Sequence, residues 1–168
     1  MPYYCIAYWT IEGLDAAQRN PSYERLFVAI QLYCLGVVFM VLTDAQKYLV
    51  LREKRGLITH GMNGWSRNMN YLGEMMLYSS FAVLCQRTEP WLIYAYVWSC
   101  VFASRILVKD YSLSKKLGWP EYKASTWILL PKLFSSAKLS VIIYSLAAAL
   151  TYHVYSQGGI EATAKTYL

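Results

Sequence analysis

Leu26–Thr43 reads LFVAIQLYCLGVVFMVLT, a stretch without a single charged side chain. Its length is close to the roughly 20 apolar residues a helix needs to cross about 30 Å of hydrocarbon, so it is read as a first membrane span. The Asn20-Pro21-Ser22 run just upstream fits a turn and a helix start, with Ser22 as the N-cap and Glu24 in the first turn. Downstream, Asp44 to Asn70 is a basic connection, and Tyr71 to Gln86 is apolar again except for Glu74. Arg87-Thr88-Glu89-Pro90 reads as a tight turn, from which Trp91 to Val108 returns across the membrane with Arg105 near its far end. Lys109 to Lys138 forms a second long polar connection before a final charge-free stretch, Leu139 to Ser156. The simplest count is about four crossings, which predicts an all-α integral membrane protein with two long basic connections on one side.

The distribution of charge agrees with this count. Short loops that face the cytoplasm, or an equivalent compartment, carry an excess of Lys and Arg. Lys47, Arg52, Lys54, Arg55 and Arg67 fall on the first long connection, and Lys109, Lys115, Lys116, Lys123, Lys132 and Lys138 on the second. The opposite side has only Arg19, Arg25, Arg87 and Lys165. An even number of crossings puts both termini on that basic-poor side.

Composition bounds the rest. The 168 residues suit one domain, and 15% charged residues against 57% hydrophobic ones is far from the roughly 25% charged of a soluble domain. The mean hydropathy of +0.26 averages apolar spans with long polar connections and sixteen Tyr, a residue that favours membrane interfaces. The net charge of +6 is spread between apolar spans rather than gathered on one face of a soluble module, which argues against nucleic acid as a partner. Cys5, Cys34, Cys85 and Cys100 have no paired short spacing, and neither His60 nor His153 has a metal-type partner, so no metal site is predicted. No signal peptide or presequence is legible at the N-terminus, so targeting is expected to be internal or a presequence to have been removed.

The residues that could carry chemistry cluster on the long connections. Asp44-x-x-Lys47 follows the first span, and Arg52, Arg55, Gly56 and Gly61 follow in turn. Ser66-Arg67-Asn68-Met69-Asn70-Tyr71-Leu72-Gly73-Glu74 then opens the next helix. Further on come Ser104-Arg105, Lys109-Asp110 and Gly118-Trp119-Pro120-Glu121-Tyr122-Lys123, leading to Pro131. Over about Leu26 to Phe134 this pattern resembles the C-terminal half of the steroid 5α-reductase-like and sterol-reductase families of membrane enzymes. The Ser-Arg-x-x-Asn-Tyr-x-Gly-Glu string is its most specific part. The resemblance implies NADPH-dependent reduction of a carbon–carbon double bond in a steroid, sterol or other lipid. It also implies candidate contacts to the cofactor, or to a lipid headgroup, at Asp44, Lys47, Arg52, Arg67, Asn70, Tyr71, Arg105, Lys109, Asp110 and Tyr122. The residue types suit that role: Lys and Arg for phosphates, and Asn70 as donor and acceptor toward a carboxamide. Glu74, one helical turn deeper on the same face as Asn70, is the one candidate catalytic residue, donating to the substrate carbonyl if it is kept protonated.

Plainer roles stand beside these. Lys47, Arg52, Lys54 and Arg55 also make an ordinary basic juxtamembrane connection that attracts anionic headgroups. Arg105 can snorkel to the interface, and Glu74 can pair with Arg67 or Arg105 to hold the fold. His60 reads as a solvated loop residue and His153 as a neighbour of the interfacial aromatic belt.

The sequence also departs from the family. Asn68-Met69 stands where the family has His-Pro, about 25 residues precede the first span, and Leu139–Ser156 follows the point where the family's domain normally ends. The expected organisation is therefore an N-terminal segment 1–24, a reductase-like membrane domain 25–134, and an added helix with a short tail 135–168. Because catalysis needs a closed, water-excluded cavity, the preferred expectation is a non-catalytic accessory subunit of a larger membrane complex, such as a respiratory-type complex of the mitochondrial inner membrane. Such a subunit would have other membrane subunits and phospholipids as partners and no cofactor. The alternative is an active NADPH-dependent reductase of the endoplasmic reticulum. A small membrane methyltransferase shares a related architecture but lacks the Asp-x-x-Lys and Asn-Tyr-x-Gly-Glu combination.

Overall fold

The computed structural model describes residues 21–85 and 87–167, together with Tyr8, Ile11 and Glu12. Most of segment 1–24, with Tyr3, Tyr4, Cys5, Arg19 and Asn20, lies outside the described residues, as does Gln86. The chain is an all-α membrane protein. Among the described residues, three helical stretches are long and apolar enough to cross a bilayer: Tyr23–Glu53, Glu89–Ser114 and Ala137–Ser156. Contacts divide it into two units, Met1–Pro131 and Lys132–Leu168.

The first unit begins with α1, Tyr23–Glu53. Ser22 caps it, its Oγ accepting from the Arg25 amide at 3.3 Å, and Glu24 sits in the first turn near the positive end of the helix dipole. The sequence reading ended the first span at Thr43, but the helix continues to Glu53. Asp44 to Arg52 contains no Gly or Pro, so nothing in the local sequence stops the helix until Lys54 turns extended. A short turn of helix, α2 (Met62–Trp65), precedes α3 (Met69–Cys85). At 17 residues and about 25 Å, α3 is at the lower limit for a crossing.

Helices α1 and α3 meet backbone to backbone. A Cβ placed on Gly36 would lie 2.6 Å from the Gly73 carbonyl oxygen, and one on Gly73 would lie 2.5 Å from that of Gly36. Small residues at a helix crossing allow this approach, which matters in lipid, where packing rather than hydrophobicity drives association.

Glu89 and Pro90 open α4 (Glu89–Tyr96) rather than closing the turn before it, because Pro in the first helical turn forfeits no hydrogen bond. The helix passes through a π-helical segment, Val97–Phe102, in which the Ala103 amide reaches back to the Trp98 carbonyl, and continues as α5 (Ala103–Ser114). Val97, Phe102 and Ile106 are buried against Tyr71 and Met75 of α3. Tyr94 stacks on Trp98 and its hydroxyl donates to the Tyr78 carbonyl. Helix α6 (Trp119–Ser125) follows a left-handed Gly118, and residues 126–131 close the unit.

The second unit holds a 3₁₀ turn (Leu133–Ser135), α7 (Ala137–Ser156) and α8 (Ile160–Tyr167). The Ser136 side chain caps α7 by accepting from the Leu139 amide at 3.3 Å, and the buried Ser140 hydroxyl accepts from the Leu133 amide at 2.8 Å. Gly158 and Gly159, both at positive φ, turn the chain from α7 into α8. Large apolar side chains such as Phe27, Val41, Leu92, Val108, Leu146 and Leu150 are exposed along the long helices, as expected where the solvent is lipid.

Candidate functional site

The site is built where Ser66–Glu74 leaves its turn and enters α3. Residues 66–68 run beside 126–129 and are tied to them one after another. Ser66 Oγ donates to the Leu129 carbonyl at 2.7 Å, the Arg67 amide to the Trp127 carbonyl at 3.1 Å, and Asn68 Nδ2 to the Ile128 carbonyl at 2.8 Å. The closing segment is thus fastened over the start of α3. Asn68, in place of the family's His, gives its Nδ2 to this seam while its buried Oδ1 has no hydrogen-bond partner, and its backbone N–H donates to Ser66 Oγ, which shapes the turn without a proline.

Arg67 is the hub. Its Nε donates to Asp110 at 2.9 Å, its Nη1 to the Thr126 carbonyl at 2.6 Å, and its guanidinium lies over the Trp119 ring. Both charged side chains are well covered, at 7% exposure for Arg67 and 17% for Asp110. A planar fork with several donors can satisfy a carboxylate and a carbonyl together, which a Lys could not do in this geometry. Tyr122 donates to the Asn63 carbonyl at 2.7 Å, and burial pushes its hydroxyl up to about 12 although the nearby Arg67 charge works against the shift. Lys109 donates to the Arg67 carbonyl at 3.1 Å and sits over the Tyr71 ring.

Four of the residues singled out in the sequence, Lys47, Arg67, Lys109 and Tyr122, line one cleft, with Asp110 joined to it through Arg67. The cleft is half open, with a volume of about 50 Å³, and Leu51, Leu57, Ile58, Asn63, Leu113 and Lys116 are also among its walls. A second group surrounds Glu74: Asp44 and Arg105 are the charges within electrostatic reach of it. Asp44 also lies within reach of Lys109, which connects the two groups. Asn70, one turn before Glu74, has a buried Oδ1 without a hydrogen-bond partner. Arg52, on the last turn of α1, is exposed and does not line the cleft.

Several residues that shape the site carried no sequence signal. Gln46, inside the Asp44-x-x-Lys47 motif, clamps the loop that follows α1. Its Nε2 donates to the His60 carbonyl at 2.8 Å and its Oε1 accepts from the Met62 amide at 2.9 Å. Gly61 is required there, since its φ is +59° and a Cβ would lie 2.4 Å from the Gln46 amide. Lys116 donates to the Gly56 carbonyl at 2.9 Å. Asn63 is buried, and its Nδ2 has no partner. Only distance along the chain hid these contacts, which join residues from 14 to 60 positions apart.

An α-helical membrane scaffold with this motif string at the head of one helix defines a membrane protein of the steroid-reductase-like class. The family model described as "Protein of unknown function (DUF1295)" matches residues 4–117, and the chain belongs to this steroid 5α-reductase-like family. The chain is also similar to the polyprenal reductase of Mesocricetus auratus, with 26% identity over 159 residues. That alignment takes in 78% of this chain and 47% of the relative, so the chain spans about half the length of the curated relative it matches. No solved structure matches the chain.

Proposed function

We propose that this chain carries the cofactor-binding part of an NADPH-dependent membrane reductase acting on a carbon–carbon double bond conjugated to a carbonyl in a lipid. The observation that carries this reading is Asn70 Oδ1, a buried acceptor without a partner one helical turn from Glu74. A buried polar atom left open costs about 1–3 kcal/mol, and a carboxamide N–H of a ligand would satisfy it. The residues present fit the cofactor. Asn70 would hold the carboxamide, and Lys47 and Arg105, both exposed, would meet its phosphates. NADPH, when bound, supplies the hydride. Glu74 in its acid form donates a hydrogen bond to the substrate carbonyl oxygen, drawing electron density from the double bond toward that oxygen. Gly73 brings α1 against α3 and so holds Asp44 in reach of Glu74.

A second reading, a non-catalytic subunit of a larger membrane assembly, is favoured by a different observation. Arg67, Lys109 and Tyr122, three of the expected cofactor contacts, donate to carbonyls of their own chain and so serve the fold whether or not a ligand binds. The reductase reading goes with the endoplasmic reticulum, and the subunit reading with the mitochondrial inner membrane and membrane-subunit partners.

One preparation tests both. The protein is extracted gently from its native membrane, its co-migrating polypeptides are identified, and its NADPH is measured by nicotinamide fluorescence. Bound NADPH, with Glu74→Gln abolishing turnover of an enone lipid while NADPH binding persists, supports the reductase. Stoichiometric co-migration with a large complex and no nucleotide overturns it in favour of the subunit.

A further inference from the structure

Among the described residues, Phe134 alone combines a side chain with a left-handed backbone, at φ +51° and ψ +29°. Residues with a Cβ are disfavoured there, and a bulky ring has no local hydrogen bond to offset the strain. The turn that imposes it is well built. The buried Ser140 hydroxyl accepts from the Leu133 amide at 2.8 Å, and the Ser136 amide donates to the Leu133 carbonyl at 3.1 Å. These bonds fix the residues on either side and leave Phe134 to absorb the strain. Its ring gains no burial in return, being 78% exposed. A strained residue that presents its side chain outward points to a use outside the chain.

Position says what that use is. The 20 residues of α7 make a helix of about 30 Å, which matches the roughly 30 Å of a bilayer interior and leaves no length to spare. Both ends of α7 therefore stand at the two interfaces. At the far end Tyr152 and Tyr155 are exposed, as in an interfacial aromatic belt. The near end has no aromatic residue within α7 before Tyr144, and Phe134, just ahead of the Ser136 cap, supplies the ring at that level. Charge selects the lipid. Lys138 sits in the first turn of α7, at the positive end of the helix dipole, and that turn holds no acidic residue. Lys132 stands on the other side of Phe134 in the sequence. Anionic headgroups offset this concentration of positive charge, whereas water and zwitterionic headgroups do not. We propose that the Leu133–Ser135 turn is a membrane anchor, with the Phe134 ring seated between the headgroups and upper acyl chains of an anionic lipid surface. The anchor sets the depth at which α7 enters the bilayer. It is independent of the reductase reading, because it uses none of the residues assigned to cofactor or substrate.

The test uses the full chain in nanodiscs of phosphatidylcholine and phosphatidylserine, with Phe134→Trp as the probe and its emission read as the difference from the parent protein. Phosphatidylcholine brominated near the top of its acyl chains is expected to quench this emission more than aqueous acrylamide does. Lys138→Gln, or omission of phosphatidylserine, is expected to weaken the lipid quenching about twofold. Stronger quenching by acrylamide would overturn the proposal by placing the ring in water. Quenching by neither agent would overturn it in favour of a protein neighbour that covers the ring, and lipid quenching indifferent to phosphatidylserine would overturn the choice of an anionic surface. Phe134→Gly supplies a second measurement, since it relaxes the backbone while removing the ring. A turn that merely connects would leave α7 unchanged or firmer. The anchor predicts that the amides of Ser140 to Ile143 exchange about tenfold faster in nanodiscs, with no fall in the unfolding temperature in detergent. Unchanged or slower exchange would overturn the proposal.

Discussion

The nine residues from Ser66 to Glu74 hold two regions together by opposite means. At the Gly73 end, α1 and α3 touch through bare backbone, and what matters is the absence of a side chain. At the Ser66–Asn68 end, the closing segment is held by hydrogen bonds from Ser66 Oγ, the Arg67 amide and guanidinium, and Asn68 Nδ2. The first contact is packing in a medium that offers no hydrophobic drive. The second is a polar network whose members are costly to leave single. One short string thus fixes both a helix pair and a cap, and it leaves the buried Oδ1 atoms of Asn68 and Asn70 without hydrogen-bond partners, with Glu74 one turn beyond Asn70.

Substitutions can break this contrast in a graded way. The largest effect is expected from Arg67→Met, which leaves the mostly covered Asp110 without its cation and should cost about 3–5 kcal/mol. Thermal unfolding in detergent would register it, and adding Asp110→Asn should recover part of the loss if the pair is the cause. Gly73→Ala comes next, because the new methyl group meets the carbonyl oxygen of Gly36 and the amide of Met40. Overpacking of this kind costs about 1–3 kcal/mol, and Gly73→Ala should lower the unfolding temperature without changing the alkaline titration of Tyr122.

Tyr122→Phe is expected to cost about 1 kcal/mol, the net worth of one hydrogen bond. Its pH dependence has a definite sign. An unfolded tyrosine ionises near 10, whereas burial pushes the folded hydroxyl up to about 12. The neutral hydroxyl therefore contributes its full stabilisation below about pH 10, and the contribution is lost as pH rises toward 12. Absorbance at 295 nm should show one late-titrating tyrosine fewer in the Phe variant. The smallest effect, about 0.5 kcal/mol, is expected for Ser136→Ala, whose capping bond to Leu139 is long at 3.3 Å. It should loosen the start of α7 in hydrogen exchange and leave the cap around Arg67 untouched.

What could be read from the sequence followed the range of the physics. Leu26–Thr43 and Leu139–Ser156 announced α1 and α7 because an apolar run of that length is a local property. Ser22 announced its own cap for the same reason. The apolar run ends at Thr43 while α1 continues ten residues further to Glu53, because charge ends an apolar run but only a breaker ends a helix. Within the site, residue types gave the candidates but not their employment. Arg67, chosen as a ligand contact, holds the closing segment, and Lys109 and Tyr122 also serve backbone carbonyls. Asn63 and Gln46 went unnoticed because an amide shows its importance only once its neighbours are placed. The π-helical segment had no signature either, as VWSCVF would suit an ordinary helix equally well.

The unbroken length of α1 has a mechanical consequence. Its 31 residues make a rod of about 46 Å, well beyond the roughly 30 Å of a bilayer interior. Gln46 rivets the following loop to this rod at two points. A membrane of different thickness changes how such a rod leans, and with the loop riveted to it, any lean is carried to Lys47 and to the loop as a rigid lever would carry it.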